Sequence, residues 1–379
     1  MLLEIINKLF LYYIIIMKTN KIIVNILYFL LLFSFIFPKT NQQTIQIQNE
    51  NNNDDKLSID NKFIITVCIG TPKQCFPFLV TTYLQNTFIL SSEFVPFGFD
   101  YKKSKTYHNT NITLGHRYGT TYISGYYIFD TLSIPSVNIE IPNFKIILVN
   151  YGFKSNKIYG VIGLGNDYTK YDTDSNFILK LFTNNNIKYK TVSITNNNLY
   201  IGNDPFQLHK LYERQVKRTC DLNTSSDLFY CFTENAMIYN DKELLYKVNK
   251  QKLYFNTQDY HIYVPYDFFF YIIADIFYTP LTLDDCQEIT ERETNSAFIK
   301  CNENGMKYAD KIKIRIFIDK WSLTFDLKSL FNSKGESFIM KSEHCKNDWV
   351  FGNIILNKYL ISFDKENNKV IFNTKKTIN

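Results

Sequence analysis

Residues 76–90 read FPFLVTTYLQNTFIL and residues 159–165 read YGVIGLG; the same order of features returns as KLYFNTQDYHIYVP at 252–265 and WVFGNIIL at 349–356. Each copy offers an apolar strand, a polar residue followed by Thr, a second apolar strand and, much later, a pair of apolar residues before a Gly. A pattern that recurs in this order marks two copies of one supersecondary unit. Short runs rich in Ile, Val, Phe, Tyr and Thr are strand-forming, because branched and aromatic side chains fit a pleated, half-buried surface. Two β-lobes face to face are therefore expected.

The rest of the chain keeps to this reading. FIITVCIG (63–70), YYIFDTLSI (126–134), FKIILV (144–149), KIKIRIFI (311–318) and KVIFN (369–373) are further short apolar runs separated by turn residues. Helical spacing is found at Asn176 to Asn184 and Pro265 to Tyr278, both dense enough in apolar residues to be mostly buried. An all-β class with a few short helices follows. The length of 379 residues exceeds the ~100–200 of one domain. Apolar residues at 45% exclude disorder as the main state, and a Gly count of 13 excludes a collagen-like fibre. The formal charge of +6 comes from scattered lysines, which gives no footprint for nucleic acid.

Lys18 and Lys21 precede an almost wholly apolar run from Ile22 to Phe37, the pattern of a secretory signal or, uncleaved, of a signal anchor. The expected organisation is a signal peptide or anchor at 1–38, a polar linker at 39–56, an N-terminal lobe at 57–195 and a C-terminal lobe at 196–379. Contact with a membrane is expected only through that first segment. Seven cysteines and sequons at Asn111 and Asn223 agree with an oxidising, glycosylating compartment. The cysteines and histidines lack zinc spacing, so no metal is expected, and no cofactor.

Several motifs together resemble the pepsin-like aspartic endopeptidases. VCIGTPKQ (67–74) is similar to that family's opening hairpin, and FDYKKSKTY (99–107) to its F-D-P-x-x-S-x-T-Y. Tyr118, Gly119 and Thr120 through Gly125 resemble the flap hairpin that closes over bound peptide. IYGVIGLG (158–165) and WVFGNIILNKYLISFDKENNKVIF (349–372) resemble two further family strands. The resemblance spans residues 57 to 374 and implies a bilobal acid-protease fold with an interlobe cleft. Tyr118, Gly119 and Thr120 would then touch bound peptide.

The chemistry of that family needs a carboxylate from each lobe, close enough to share one proton. At the matching positions this chain has Thr81 and Asn256, followed by Thr82 and Thr257, with Tyr83 and Gln258 where the family has glycine. Neither a Thr hydroxyl nor an Asn amide titrates near working pH, so neither serves as general acid or base. Thr82 and Thr257 match the buried threonines that tie the two loops, and Gly163 and Gly352 the glycines beneath them. Asp259 stands beside Asn256 as a leftover carboxylate, expected to be a turn residue bonding its own backbone; His261 is expected to be a satisfied core histidine.

The resemblance also implies a disulfide between Cys301 and Cys345. Cys68 and Cys75 flank a turn and could bridge it, and Cys220 and Cys231 could close a short loop, which leaves Cys286 unpaired. The expected function is a catalytically inactive, monomeric homologue that binds peptide or protein in its cleft. It would be secreted, membrane-anchored, or held in a vacuolar or lysosomal compartment. The alternatives are an active aspartic-type endopeptidase with a divergent site and a structural secreted glycoprotein.

Overall fold

The structure, a computed structural model, describes residues 45–48, 63–118, 121–152, 157–165, 174–195, 198–204, 218–223, 228–257, 259–291, 296–342 and 347–374. The chain divides after Gln42, and every described residue lies in the unit Gln43–Asn379. The signal-like run falls outside the described residues, among which no helix is long and apolar enough to cross a membrane.

The first described strand, β1 (Ile45–Gln48), is followed by a seven-stranded sheet. In spatial order this sheet is β2 (Ile64–Ile69), β3 (Gln74–Thr81), β8 (Gly160–Gly163), β4 (Phe88–Leu90), β7 (Ile139–Tyr151), β6 (Thr121–Ile134) and β5 (His108–Tyr118). The C-terminal half builds its own seven-stranded sheet: β12 (Tyr230–Phe232), β15 (Lys252–Phe255), β22 (Trp349–Phe351), β16 (Ile262–Val264), β21 (Glu336–Ser342), β18 (Ser296–Cys301) and β17 (Cys286–Glu291). The two sheets share one pattern of pairing. Reading across either sheet, the pairs run antiparallel, parallel, antiparallel, parallel, antiparallel, antiparallel. The repeat read in the sequence is thus a repeat of topology, with the β17–β18 hairpin in the place that β5–β6 takes in the first half.

A four-stranded sheet packs in the C-terminal half: β14 (Glu243–Val248), β13 (Asn235–Asn240), β19 (Ile312–Ile318) and β20 (Trp321–Asp326). In β19 the residues alternate buried and half-buried, as the period of two in KIKIRIFI requires. A six-stranded sheet draws on both halves, in the order β1, β10 (Asn198–Ile201), β9 (Thr191–Ile194), β23 (Tyr359–Asp364), β24 (Lys369–Thr374) and β11 (Arg218–Asp221). All of β9 and β23 is buried, as for strands covered on both faces. One continuous apolar core runs through both halves.

The helices are short. The helix α1 (Phe177–Thr183) starts at Asn176, whose side-chain oxygen accepts the Leu179 N–H at 2.9 Å, a capping contact that satisfies an otherwise orphan donor. Helix α2 (Tyr266–Tyr271), a π-helical stretch at Ile272–Ile276 and α3 (Tyr278–Thr282) fill the segment expected to be helical, and α4 is Glu303–Met306. The fold is all-β and bilobal.

Two expectations are corrected. The segment 39–56 is not linker throughout, because Ile45–Gln48 pairs antiparallel with β10, Ile45 opposite Ile201 and Gln48 opposite Asn198; a strand needs backbone partners more than it needs a long apolar run. The disulfides are Cys68–Cys75 and Cys286–Cys301. Cys301 therefore does not pair with Cys345, which lies outside the described residues, and Cys286 is not the spare cysteine. The physical reason is register: β17 and β18 form a hairpin that places Cys286 directly opposite Cys301. Cys220 and Cys231 are buried and unbridged.

Candidate functional site

Strand β3 ends at Thr81, where it runs parallel to β8 with Thr81 opposite Gly163. Strand β15 ends at Phe255, opposite Phe351 of the parallel strand β22, and the next residue, Asn256, donates its N–H to the Phe351 carbonyl at 2.9 Å. The positions of Thr81 and Asn256 are thus related by the repeat. Each lies at the end of an inner strand and leads into a loop.

The two loops are tied to each other across the halves. The Thr82 N–H donates to the Thr257 hydroxyl oxygen at 3.1 Å, and the Thr82 hydroxyl donates to the Phe255 carbonyl at 3.1 Å. Both threonines are buried, so each hydroxyl must find a partner there. Beneath each loop lies a glycine with no room for a side chain. A Cβ on Gly163 would sit 2.6–2.7 Å from the Gln85 and Asn86 backbone, and one on Gly352 would sit 2.4 Å from the carbonyl oxygens of Asp259 and His261. Gly352 also donates its N–H to the His261 carbonyl at 2.8 Å.

Within the first loop the Thr81 hydroxyl accepts the Tyr83 N–H at 2.9 Å. That local bond makes the turn without a glycine at residue 83. Thr81 is 0% exposed, and its hydroxyl oxygen is occupied by the chain itself. Leu84 is buried in a small apolar cluster with Leu79, Phe88 and Val161, so the space after the turn holds hydrocarbon. The loop residues 79–87 contain no Asp or Glu.

The second loop is polar. Asp259 is the one carboxylate between 253 and 261, and it is already surrounded by donors. One oxygen, Oδ1, takes the His261 N–H at 3.0 Å and meets the His261 ring Nδ1 at 2.8 Å; the other accepts the Tyr263 hydroxyl. Burial alone would raise the Asp259 carboxyl, but the hydrogen bonds and charge of His261, helped by Tyr263, outweigh it and hold the group below its ordinary range. His261 is satisfied by that bond and packs near Phe338. The Asn353 amide donates to the Thr257 carbonyl at 2.8 Å, and so buttresses the loop from below. A small apolar pocket lies under Asn256 and Thr257, walled by Phe351 and by Ile194, Ile361 and Phe363 of the six-stranded sheet.

Tyr118 is the last residue of β5 and lies opposite Thr121 in the β5–β6 hairpin; Gly119 and Thr120, like Gln258, lie outside the described residues. The motif at 99–107 has a structural task. Ser104 and Thr106 both donate to Oδ1 of the buried Asp130, which also accepts the Thr131 N–H. Asp130 therefore belongs to this clamp and not to the loops.

Thr81, Thr82, Asn256, Thr257, Asp259, Gly163 and Gly352 are brought together as one loop pair. Sequence reasoning missed Tyr263 as the third member of the Asp259–His261 group. Its signal was present, since residues 259, 261 and 263 share one face of an extended chain. Among the described residues no cluster of three or more His, Cys, Asp and Glu side chains is placed to hold a metal ion. A family model described as eukaryotic aspartyl protease matches residues 62–203, the stretch from just before β2 through β10 that contains Thr81, Thr82, the β5–β6 hairpin and Gly163.

Proposed function

From a chain that carries a pepsin-like domain of the eukaryotic aspartyl protease family over residues 62–203, we propose a non-proteolytic member that holds an extended peptide or protein segment between its lobes. The observation that carries this reading is the threonine tie. Thr82 and Thr257 lock the two loops together, so the scaffold around Thr81 and Asn256 is intact while the residues themselves cannot exchange protons. Catalysis of the family's kind needs two carboxylates sharing a proton, and loop residues 79–87 and 253–261 supply only Asp259. With three donors on its oxygens, Asp259 is poorly suited to take a proton from water.

Peptide binding needs less. An extended chain is held by backbone hydrogen bonds and by pockets for alternate side chains, and the β5–β6 hairpin ending at Tyr118 is the element suited to clamp it. Two disulfides and the family domain fit a secretory or lysosomal route, and we place the protein there. A single experiment separates the readings: the full chain is incubated with a diverse peptide library from about pH 3 to 7, a span that brackets the carboxylate and histidine titrations. Intact peptides retained without products, and retained less by Tyr118→Ala, support the binding protein. Cleavage blocked by a statine-type inhibitor would replace it with the endopeptidase, and neither signal with a structural glycoprotein.

A further inference from the structure

Cys220 and Cys231 are the buried pair that the loops, the clamp at Asp130 and the two disulfides leave unused. Cys220 is 7% exposed and Cys231 0%. Cys220 lies in β11, opposite Val370 of the six-stranded sheet, and Cys231 in β12, opposite Leu253 of the C-terminal seven-stranded sheet. Between them the chain turns back on itself. Asn223 forms an antiparallel bridge with Tyr230, its N–H donating to the Tyr230 carbonyl at 2.9 Å. That register sets residue 222 against Cys231, with Cys220 two places along on the same face, the diagonal arrangement in which side chains of neighbouring strands meet. On that register the two buried thiols are near neighbours on one face.

We propose that Cys220 and Cys231 are the site of a third disulfide, formed while the chain folds, which staples the six-stranded sheet to the C-terminal sheet where the chain passes between them. The bond forms by thiol–disulfide exchange with an oxidised dithiol oxidoreductase or oxidised glutathione. One cysteine thiolate attacks the donor's disulfide, giving a mixed disulfide and releasing one donor thiol. The second cysteine thiolate then attacks the protein sulfur of that mixed disulfide and releases the other donor sulfur as a thiol. Two protein thiols are oxidised, one donor disulfide is reduced to two thiols, and two protons end on the donor.

The timing follows from burial. Burial, reinforced by the neighbouring thiol, pushes the Cys220 pKa well above its ordinary value, so little thiolate exists once the strands have closed. The folded core also keeps large reagents out. A chain that folds in an oxidising compartment carries the bond, and one that folds reduced keeps two protected thiols. The consequence reaches the loop pair, because β12 hydrogen-bonds along β15, and β15 ends at Phe255, whose carbonyl receives the Thr82 hydroxyl. A staple at Cys231 therefore steadies the strand that carries Asn256.

The test uses the full chain made in a secretory host and, separately, in a reducing cytosol. Each sample is unfolded in denaturant with N-ethylmaleimide and no reductant, cleared of glycan and digested with trypsin. The peptide Thr219–Lys242 contains Cys220 and Cys231 and no other cysteine. From the secretory sample it is expected without label and lighter than the dithiol by two hydrogens; from the cytosolic sample it is expected with a maleimide on each cysteine. Labels on both cysteines of the secretory sample, or a link from either one to Cys345, would overturn the proposal. A second reading compares melting in the secretory material. The double variant Cys220→Ser/Cys231→Ser is expected to melt roughly 5 °C below the wild type, the shift for closing a loop of this size, and an equal melting temperature would overturn the stapling role.

Discussion

The Thr82 hydroxyl is the smallest feature that joins the two halves. Its bond to the Phe255 carbonyl is buried, and replacement by an isosteric apolar group leaves that carbonyl without its donor. Thr82→Val is expected to lower the unfolding free energy by about 1–3 kcal/mol, read by chemical denaturation. Asp259 gives a pH-dependent counterpart. Its carboxyl is held below the ordinary range in the fold, so the charged form is the stabilised one. That stabilisation is fully present above the unfolded pKa of about 3.9 and is lost as pH falls through the lower folded value. Asp259→Asn is expected to cost about 1–2 kcal/mol near pH 6, with the gap to wild type narrowing as pH falls below the unfolded value of about 3.9. A gap that did not narrow on acidification would show that the contacts and not the charge carry the effect.

At the level of elements, the repeated strand-loop-strand unit was legible because its demands are local and strict. Only glycine fits where a Cβ would meet two carbonyl oxygens at 2.4 Å, as at Gly352, so the sequence had to keep Gly163 and Gly352 at matching places. Gly352→Ala is accordingly expected to cost about 3 kcal/mol or more, measured by thermal and denaturant unfolding. The helix α1 was legible through its apolar residues, while its cap at Asn176 is seen only in the structure. Asn176→Ala, which removes the acceptor for the Leu179 N–H, is expected to cost about 1 kcal/mol. The Cys68–Cys75 bridge was legible from the turn it flanks, but the C-terminal pairing was not, because Cys286 meets Cys301 through the register of a hairpin that no residue pattern in the sequence specifies. The turn that Thr81 makes without a glycine at residue 83 was also hidden, since a hydroxyl that bonds two residues ahead looks in sequence like any other lost catalytic position.

For the whole molecule the deciding element is the one that the sequence disguised. Strand β1 is four residues of alternating Ile and Gln inside a polar stretch, too short and too hydrophilic to stand out, yet it forms the outer edge of the six-stranded sheet that draws on both halves. Among the described residues it pairs on one side, with β10, and β10 in turn pairs with β9, whose other neighbour β23 comes from the far end of the chain. A chain cut to begin at residue 57 would keep both seven-stranded sheets and the loop pair but would leave the β10 edge bare. A bare edge presents unpaired N–H and C=O groups to any passing strand. The form beginning at residue 57 is therefore expected to unfold at lower denaturant than the form beginning at Gln43, and to self-associate at concentrations where the longer form stays monomeric, as read by light scattering. A synthetic peptide spanning residues 43–50, added in trans, is expected to suppress that association by filling the vacant edge. If the two forms unfold together and neither associates, pairing with β1 adds nothing measurable to stability, and β10 is a stable edge without it.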